Sequence, residues 1–149
     1  MRTITLIIIH CSATPEGKSL SAEACRLDHI RHRGFRDIGY HFYITRDGEI
    51  HRGRSLEEVG AHCRNHNAHS IGACYEGGLD VRYRPADTRT EWQKHSLRVL
   101  IRTLLMDYPG CRVCGHRDLS PDRNGDGRIS PEEWVKECPC FEVTSKLYE

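Results

Sequence analysis

The chain has no long apolar run, almost no surplus of charge and no recognisable export signal. Of its 149 residues, 22 are Lys or Arg and 21 are Asp or Glu, leaving a net charge of +1. So even a balance supplies no global field for nucleic acid or a membrane surface, although a small basic patch stays compatible with it. The most apolar stretch, Leu6-Ile7-Ile8-Ile9, sits in a segment too short to span a bilayer, and no small-residue cleavage site follows it. Neither membrane insertion nor a secretory signal is expected, and synthesis and folding in the cytoplasm are. That absence also bears on the eight cysteines. An even cysteine count reads as a disulfide framework only in a secretory setting. Here most are expected to be small buried hydrophobes, Cys11, Cys25, Cys63 and Cys74 among them, and a few to be ligands.

What is present fits one domain with a substantial core. Residues 3–9 are rich in β-branched side chains and apolar on both faces, as in a strand covered on both sides. His10 falls at the C-terminal end of that strand, where side chains project into a crevice. A helix is expected from Ser19 or Ser21 to about Arg33, with Gly34 as its stop. Residues 39–45 read as an aromatic and β-branched strand. Arg46-Asp47-Gly48-Glu49 is a hairpin turn, and Ile50 to Arg54 is its return strand. The polar loop over 55–70 is dense in His and Asn, and His62 and Asn67 are candidates to line a substrate groove. A short strand over 71–75 ends at Gly77-Gly78, and a charged connector follows over 79–87. Thr88-Arg89-Thr90-Glu91 resembles a capping box. It precedes the strongest helix, apolar at Trp92, Leu97, Leu100, Ile101, Leu104, Leu105 and Tyr108 and stopped by Pro109-Gly110. A strand over 111–115 then delivers His116 as the first strand delivers His10. Strands alternate with helices but include a hairpin, so the expected class is α/β: a mixed central β-sheet flanked by helices.

His10, His116 and Cys138 are the candidate ligands of one divalent metal. Two neutral imidazoles and one thiolate suit zinc, and three protein ligands leave a fourth position open, the mark of a catalytic site. A competing arrangement is a structural four-cysteine site from Cys111-x-x-Cys114 and Cys138-x-Cys140. It is disfavoured because residues three apart on a strand face opposite sides. Between His116 and Cys138 lies a loop matching the calcium-loop template. Asp122, Asn124, Asp126, Arg128 (through its carbonyl) and Glu133 are the candidate ligands, with Gly127 and Ile129 at the glycine and aliphatic positions. A helix is signalled after Glu133 and none before Asp122, so this is at most the loop-helix half of such a motif. The alternative is an Asp/Asn/Gly turn feeding a helix N-terminus, where acidic residues favour the dipole.

Five segments come in a familiar order: His10-Cys11-Ser12-Ala13-Thr14, Gly39-Tyr40-His41-Phe42, Ser70-Ile71-Gly72, Gly115-His116-Arg117 and Lys136-x-Cys138-Pro139-x-Phe141. Over nearly its whole length the chain resembles the type-2 N-acetylmuramoyl-L-alanine amidases, which share the fold of the peptidoglycan recognition proteins. The resemblance implies a single zinc amidase domain over 1–149 with a calcium-loop-like insertion at 122–133. It implies hydrolysis of the amide between the lactyl group of N-acetylmuramic acid and L-alanine, with His10, His116 and Cys138 as zinc ligands. Tyr40 resembles the family's catalytic tyrosine, and Lys136 its lysine two residues before the cysteine ligand. Either can stabilise an oxyanion as the amide carbon turns tetrahedral. Cys138 takes the ligand position of the family pattern and Cys140 the variable one, a neighbour available for a disulfide. Asn67 matches an asparagine ahead of the Ser-Ile-Gly strand, with a role in loop architecture. The chain departs from the phage members in the longer gap between His116 and Cys138, which holds the 122–133 loop. The alternative function is a muropeptide-binding module of the same fold, which would need neither Cys138 nor Tyr40. Peptidoglycan is the expected partner, the chain is expected to be a monomer, and it would reach the wall by release on lysis or by non-standard export.

Overall fold

A computed structural model describes all 149 residues. In chain order the elements are strands β1 (Leu6–Cys11) and β2 (Thr14–Pro15), helix α1 (Ala22–Arg33), strands β3 (Phe42–Ile44), β4 (Ile50–Arg52), β5 (Ser70–Tyr75) and β6 (Gly78–Leu79), helix α2 (Glu91–Asp107) and strand β7 (Arg112–Gly115). Five strands form one sheet in the order β4-β3-β5-β1-β7, with β1 parallel to both β5 and β7. β3 runs parallel to β5, and only β4 is antiparallel, as the return arm of a hairpin. The mixed α/β sheet flanked by helices is therefore the observed architecture.

The hairpin forms where Asp47-Gly48 puts it: Gly48 has φ 85, and its N–H donates to the Thr45 carbonyl at 2.8 Å. Ser21 caps α1 through its Oγ, which accepts from the Ala24 N–H, and Gly34 closes the helix in the left-handed region at φ 70. The α2 capping box lies two residues later than the sequence suggests, at Thr90 and Gln93. Thr88 is not free to cap, because its Oγ1 accepts from the Gly78 N–H at 2.8 Å. The connector expected over 79–87 begins with β6, which pairs in parallel with β2 as a separate two-stranded ribbon. The first strand starts later than residue 3 because its partners β5 and β7 begin opposite Leu6.

The β-strand alternation divides the core. Ile7, Ile9 and Cys11 of β1 face α2, where Leu97, Leu100, Ile101 and Leu104 bury the helix's apolar stripe. Each fully buried Leu or Ile there contributes about 1.5–3 kcal/mol. The even-numbered residues Leu6 and Ile8 face the opposite layer with Cys63 and Cys114. α1 covers that layer only in part, through Cys25. His10 continues the same face, so it reaches the side of the sheet that the helices leave open. Cys111 packs against the α2-side cluster and Cys114 in the opposite one, which separates the first pair of the four-cysteine alternative.

The helix signalled after Glu133 is absent. A 3-10 turn over Pro131–Glu133 ends at Trp134, which is extended at φ −64, ψ 124. The segment beyond is pinned sideways instead. The Val135 N–H donates to Ser120 Oγ at 3.0 Å, and the Arg117 guanidinium stacks on the Trp134 ring at 3.9 Å. No helix of the chain is long and apolar enough to cross a membrane.

Candidate active site

Three segments far apart in sequence meet at the C-terminal edge of the sheet. β1 brings His10, β7 and the 3-10 turn after it bring His116, and the returning C-terminal segment brings Cys138. One ligand atom from each lies within 4.8 Å of the others. His10 is only 2% exposed, and its Nδ1 stands 3.8 Å from Cys138 Sγ. The His10 and His116 rings are 4.7 Å apart between centroids.

The backbone that carries these residues is cross-braced. The Arg117 N–H donates to the Cys138 carbonyl at 2.9 Å, joining the segments that carry His116 and Cys138 directly. Tyr75 Oη donates to the Pro139 carbonyl at 2.6 Å. The Cys11 N–H donates to Cys138 Sγ at 3.2 Å, the kind of contact that stabilises a thiolate. Gly115 has no side chain where Pro139 passes: a Cβ there would sit 2.7 Å from Pro139 Cδ.

Burial holds the His10 ring well below the ordinary histidine pKa, helped by the facing His62, His116 and Lys136. His10 is therefore neutral at neutral pH and able to donate a lone pair to a metal. The centre opens into a groove of about 1040 Å³ whose walls include Tyr40, His29, Arg64, Lys136 and Leu79. The Tyr40 ring lies 5.2 Å from the His10 ring. Burial, then the thiols of Cys74 and Cys138, push the Tyr40 phenol above its usual pKa, so it stays protonated and can donate. Lys136 is exposed at the rim.

His62 and Asn67 also line the groove, but several of their polar atoms are engaged by protein. His62 Nδ1 lies 2.8 Å from His10 Nε2. Asn67 Oδ1 accepts from the N–H groups of both His62 and Cys63 at 2.9 Å, closing the 62–67 loop. His29, to which the sequence reading gave no role, supports Tyr40 from behind. Its Nδ1 accepts from the Gly39 N–H at 2.9 Å, and its ring lies 5.4 Å from the Tyr40 ring. The available signal was its position four residues after Cys25 on the one buried edge of α1.

In the 122–133 loop, carboxylate oxygens of Asp122, Asp126 and Glu133 come within 4.8 Å of one another. Their hydrogen bonds are internal. Asp122 accepts from the Gly125 and Gly127 N–H groups at 3.0 and 2.8 Å. Asn124 Oδ1 accepts from the Asp126 N–H, and Asp126 from the Arg128 N–H. Glu133, 5% exposed, accepts from the backbone of Arg123, Asn124 and Ser130.

A family model described as N-acetylmuramoyl-L-alanine amidase matches residues 1–134. The endolysin of Escherichia phage T7 is 35% identical over 137 residues, covering 92% of this chain and 81% of that protein. Among solved structures, the N-acetylmuramoyl-L-alanine amidase LysC from Clostridium intestinale superposes with a TM-score of 0.73 at 26% identity, over 97% of this chain and 82% of that one. Bumblebee PGRP-SA shares the fold at a TM-score of 0.74 and 23% identity, over 99% of this chain and 81% of that one.

Proposed function

Because the chain belongs to the N-acetylmuramoyl-L-alanine amidase family, we propose that it hydrolyses the amide between the lactyl group of N-acetylmuramic acid and L-alanine in peptidoglycan, with zinc held by His10, His116 and Cys138. The observation that carries this reading is the convergence of two imidazoles and one thiol within 4.8 Å at the floor of a wide groove. The donor set fits zinc in number and softness, and a neutral, buried His10 fits the protonation state a ligand needs. Zinc at this point supplies Lewis-acid polarisation of the scissile carbonyl and a lowered pKa for water.

The remaining work falls to the chain's own groups. The groove holds the glycopeptide, and its walls limit the water around the scissile bond. Tyr40, protonated and held near His10, donates a hydrogen bond to the oxygen that gains charge as the amide carbon turns tetrahedral. The Lys136 ammonium adds positive charge from the rim. Asn67 contributes by fixing the loop that carries His62. A module that binds muropeptide without cutting it would need neither a thiol at position 138 nor a tyrosine beside His10; the reading is supported by Cys138 lying with the two imidazoles and by the Tyr40 ring 5.2 Å from the His10 ring.

We extend the proposal to the 122–133 loop as a calcium-binding element, supported by the template spacing and the three gathered carboxylates. The loop also closes without an ion through its internal hydrogen bonds, so calcium would add stability to an existing turn.

Metal analysis of the purified chain tests the central assignment. The expected result is about one zinc per chain, strongly reduced in Cys138→Ser. Wild-type zinc affinity in Cys138→Ser overturns the ligand set.

A further inference from the structure

His10 is held from two sides. Its Nδ1 faces Cys138 Sγ at 3.8 Å, on the side where the three donors converge. Its Nε2 faces away from that point and meets His62 Nδ1 at 2.8 Å. A metal held through Nδ1 therefore requires the proton on Nε2, and that proton requires an acceptor. Metal-ligating histidines almost always donate their second N–H to a carboxylate, a backbone carbonyl or water. No carboxylate occupies that position here; a second imidazole does.

His62 can accept only as the tautomer with its own proton on Nε2, and its surroundings fit that form. In that form its Nε2–H has an acceptor in Ser70 Oγ, 3.3 Å away at the start of β5. The ring cannot drift. It packs edge-on to His10 at 4.9 Å between centroids and close against Gly72, where a Cβ would lie 2.6 Å from the ring. Its backbone N–H is fixed on Asn67 Oδ1.

We infer that His62 is a positioning residue for the metal centre: by accepting from His10 Nε2–H it fixes His10 in the tautomer and orientation that present Nδ1 to zinc. This rests on the zinc reading above and assigns His62 a role through His10 rather than through substrate. The ordered chain runs from His10 to His62 to Ser70, and its two links are hydrogen bonds between groups on different segments. Because the acceptor is neutral, it orients His10 without adding a negative charge beside the centre.

The test measures zinc affinity by competition with a chromogenic chelator, using zinc alone as the probe. Three folded proteins are compared: wild type, His62→Leu and His62→Asn. Leucine fills space and accepts nothing; the asparagine amide oxygen can stand where Nδ1 stood. The expected result is roughly 10- to 100-fold weaker zinc binding for His62→Leu, with affinity close to wild type for His62→Asn. In the zinc-loaded wild type, a slowly exchanging imidazole proton assigned to His10 Nε2 is expected by NMR, and it is lost in His62→Leu. Wild-type affinity in His62→Leu overturns the inference, and so does an asparagine variant as weak as the leucine one, which would indicate packing alone. Should His62→Leu not fold, Ser70→Ala leaves both rings in place while releasing the His62 tautomer. Weaker zinc binding there supports the inference, and unchanged binding with an unchanged His10 proton overturns it. A wild-type chain that holds no zinc overturns the zinc reading itself, a result distinct from wild type and His62→Leu binding zinc alike.

Discussion

Gly115→Ala probes how closely the two ligand-bearing segments must approach. Gly115 immediately precedes His116, and Pro139 immediately follows Cys138. The glycine has φ −87 and ψ 159, a conformation alanine adopts without strain, so the substitution acts through volume alone. The added Cβ would lie 2.7 Å from Pro139 Cδ and 3.0 Å from Pro139 Cγ. Carbon atoms pack at about 3.5–4.0 Å, so the segments must part by roughly 1 Å. Metal–ligand distances tolerate only about 0.2 Å. In the metal-free chain the C-terminal segment moves off and relieves the clash. Holding zinc draws it back, so an overpacking strain of about 1–3 kcal/mol appears as roughly 5- to 150-fold weaker zinc binding. The sheet and α2 are untouched, so metal-free stability should fall far less than zinc affinity. Chelator competition and thermal unfolding with and without zinc measure the two effects. Wild-type zinc affinity in a folded Gly115→Ala protein would refute the reasoning, because the close approach would then be unimportant to the centre.

Tyr40→Phe should lower turnover by about 100- to 1000-fold, the cost of one donor to a developing oxyanion, with zinc content unchanged; full activity would remove Tyr40 from the chemistry. Calcium should raise the melting temperature of wild type and leave Glu133→Gln unmoved, and a chelator that spares zinc should reverse the gain; no response in wild type reduces the loop to a turn. The metal-free chain should lose stability as pH falls below about 6.5. His29 and His41 are buried neutral with depressed pKa values, and each accepts a backbone N–H on Nδ1. The unfolded chain binds those protons first, so each histidine removes about 1.4 kcal/mol per pH unit below 6.5 until its own folded pKa is reached. Flat stability between pH 6.5 and 5 would contradict this.

The parts legible in the sequence are those fixed by local chemistry. The α2 stripe, the Asp47-Gly48 turn and the Gly34 stop need only neighbours within a few residues. His10 at a strand end and the order of the five motifs carried the three candidate ligands, His10, His116 and Cys138, whose donor atoms the structure gathers within 4.8 Å. Long-range pairings stayed out of reach. His62 reads in sequence as one polar residue of a polar loop, and only the fold sets its Nδ1 against a ring 52 residues away. The β2–β6 ribbon has two residues per strand, too few for periodicity to register. The α2 cap moved because Thr88 was claimed by Gly78, and the expected helix after Glu133 gave way to contacts with Ser120 and Arg117. In each case a tertiary partner outweighed a local preference.

Digestion of purified peptidoglycan, followed by mass analysis of the products, tests the central claim most directly. The account predicts free stem peptides beginning with L-alanine, glycan strands of undiminished length, and loss of both on chelation or in Cys138→Ser, with zinc restoring the chelated wild type. Shortened glycan strands, or stem-peptide release that persists without metal and in Cys138→Ser, would contradict it.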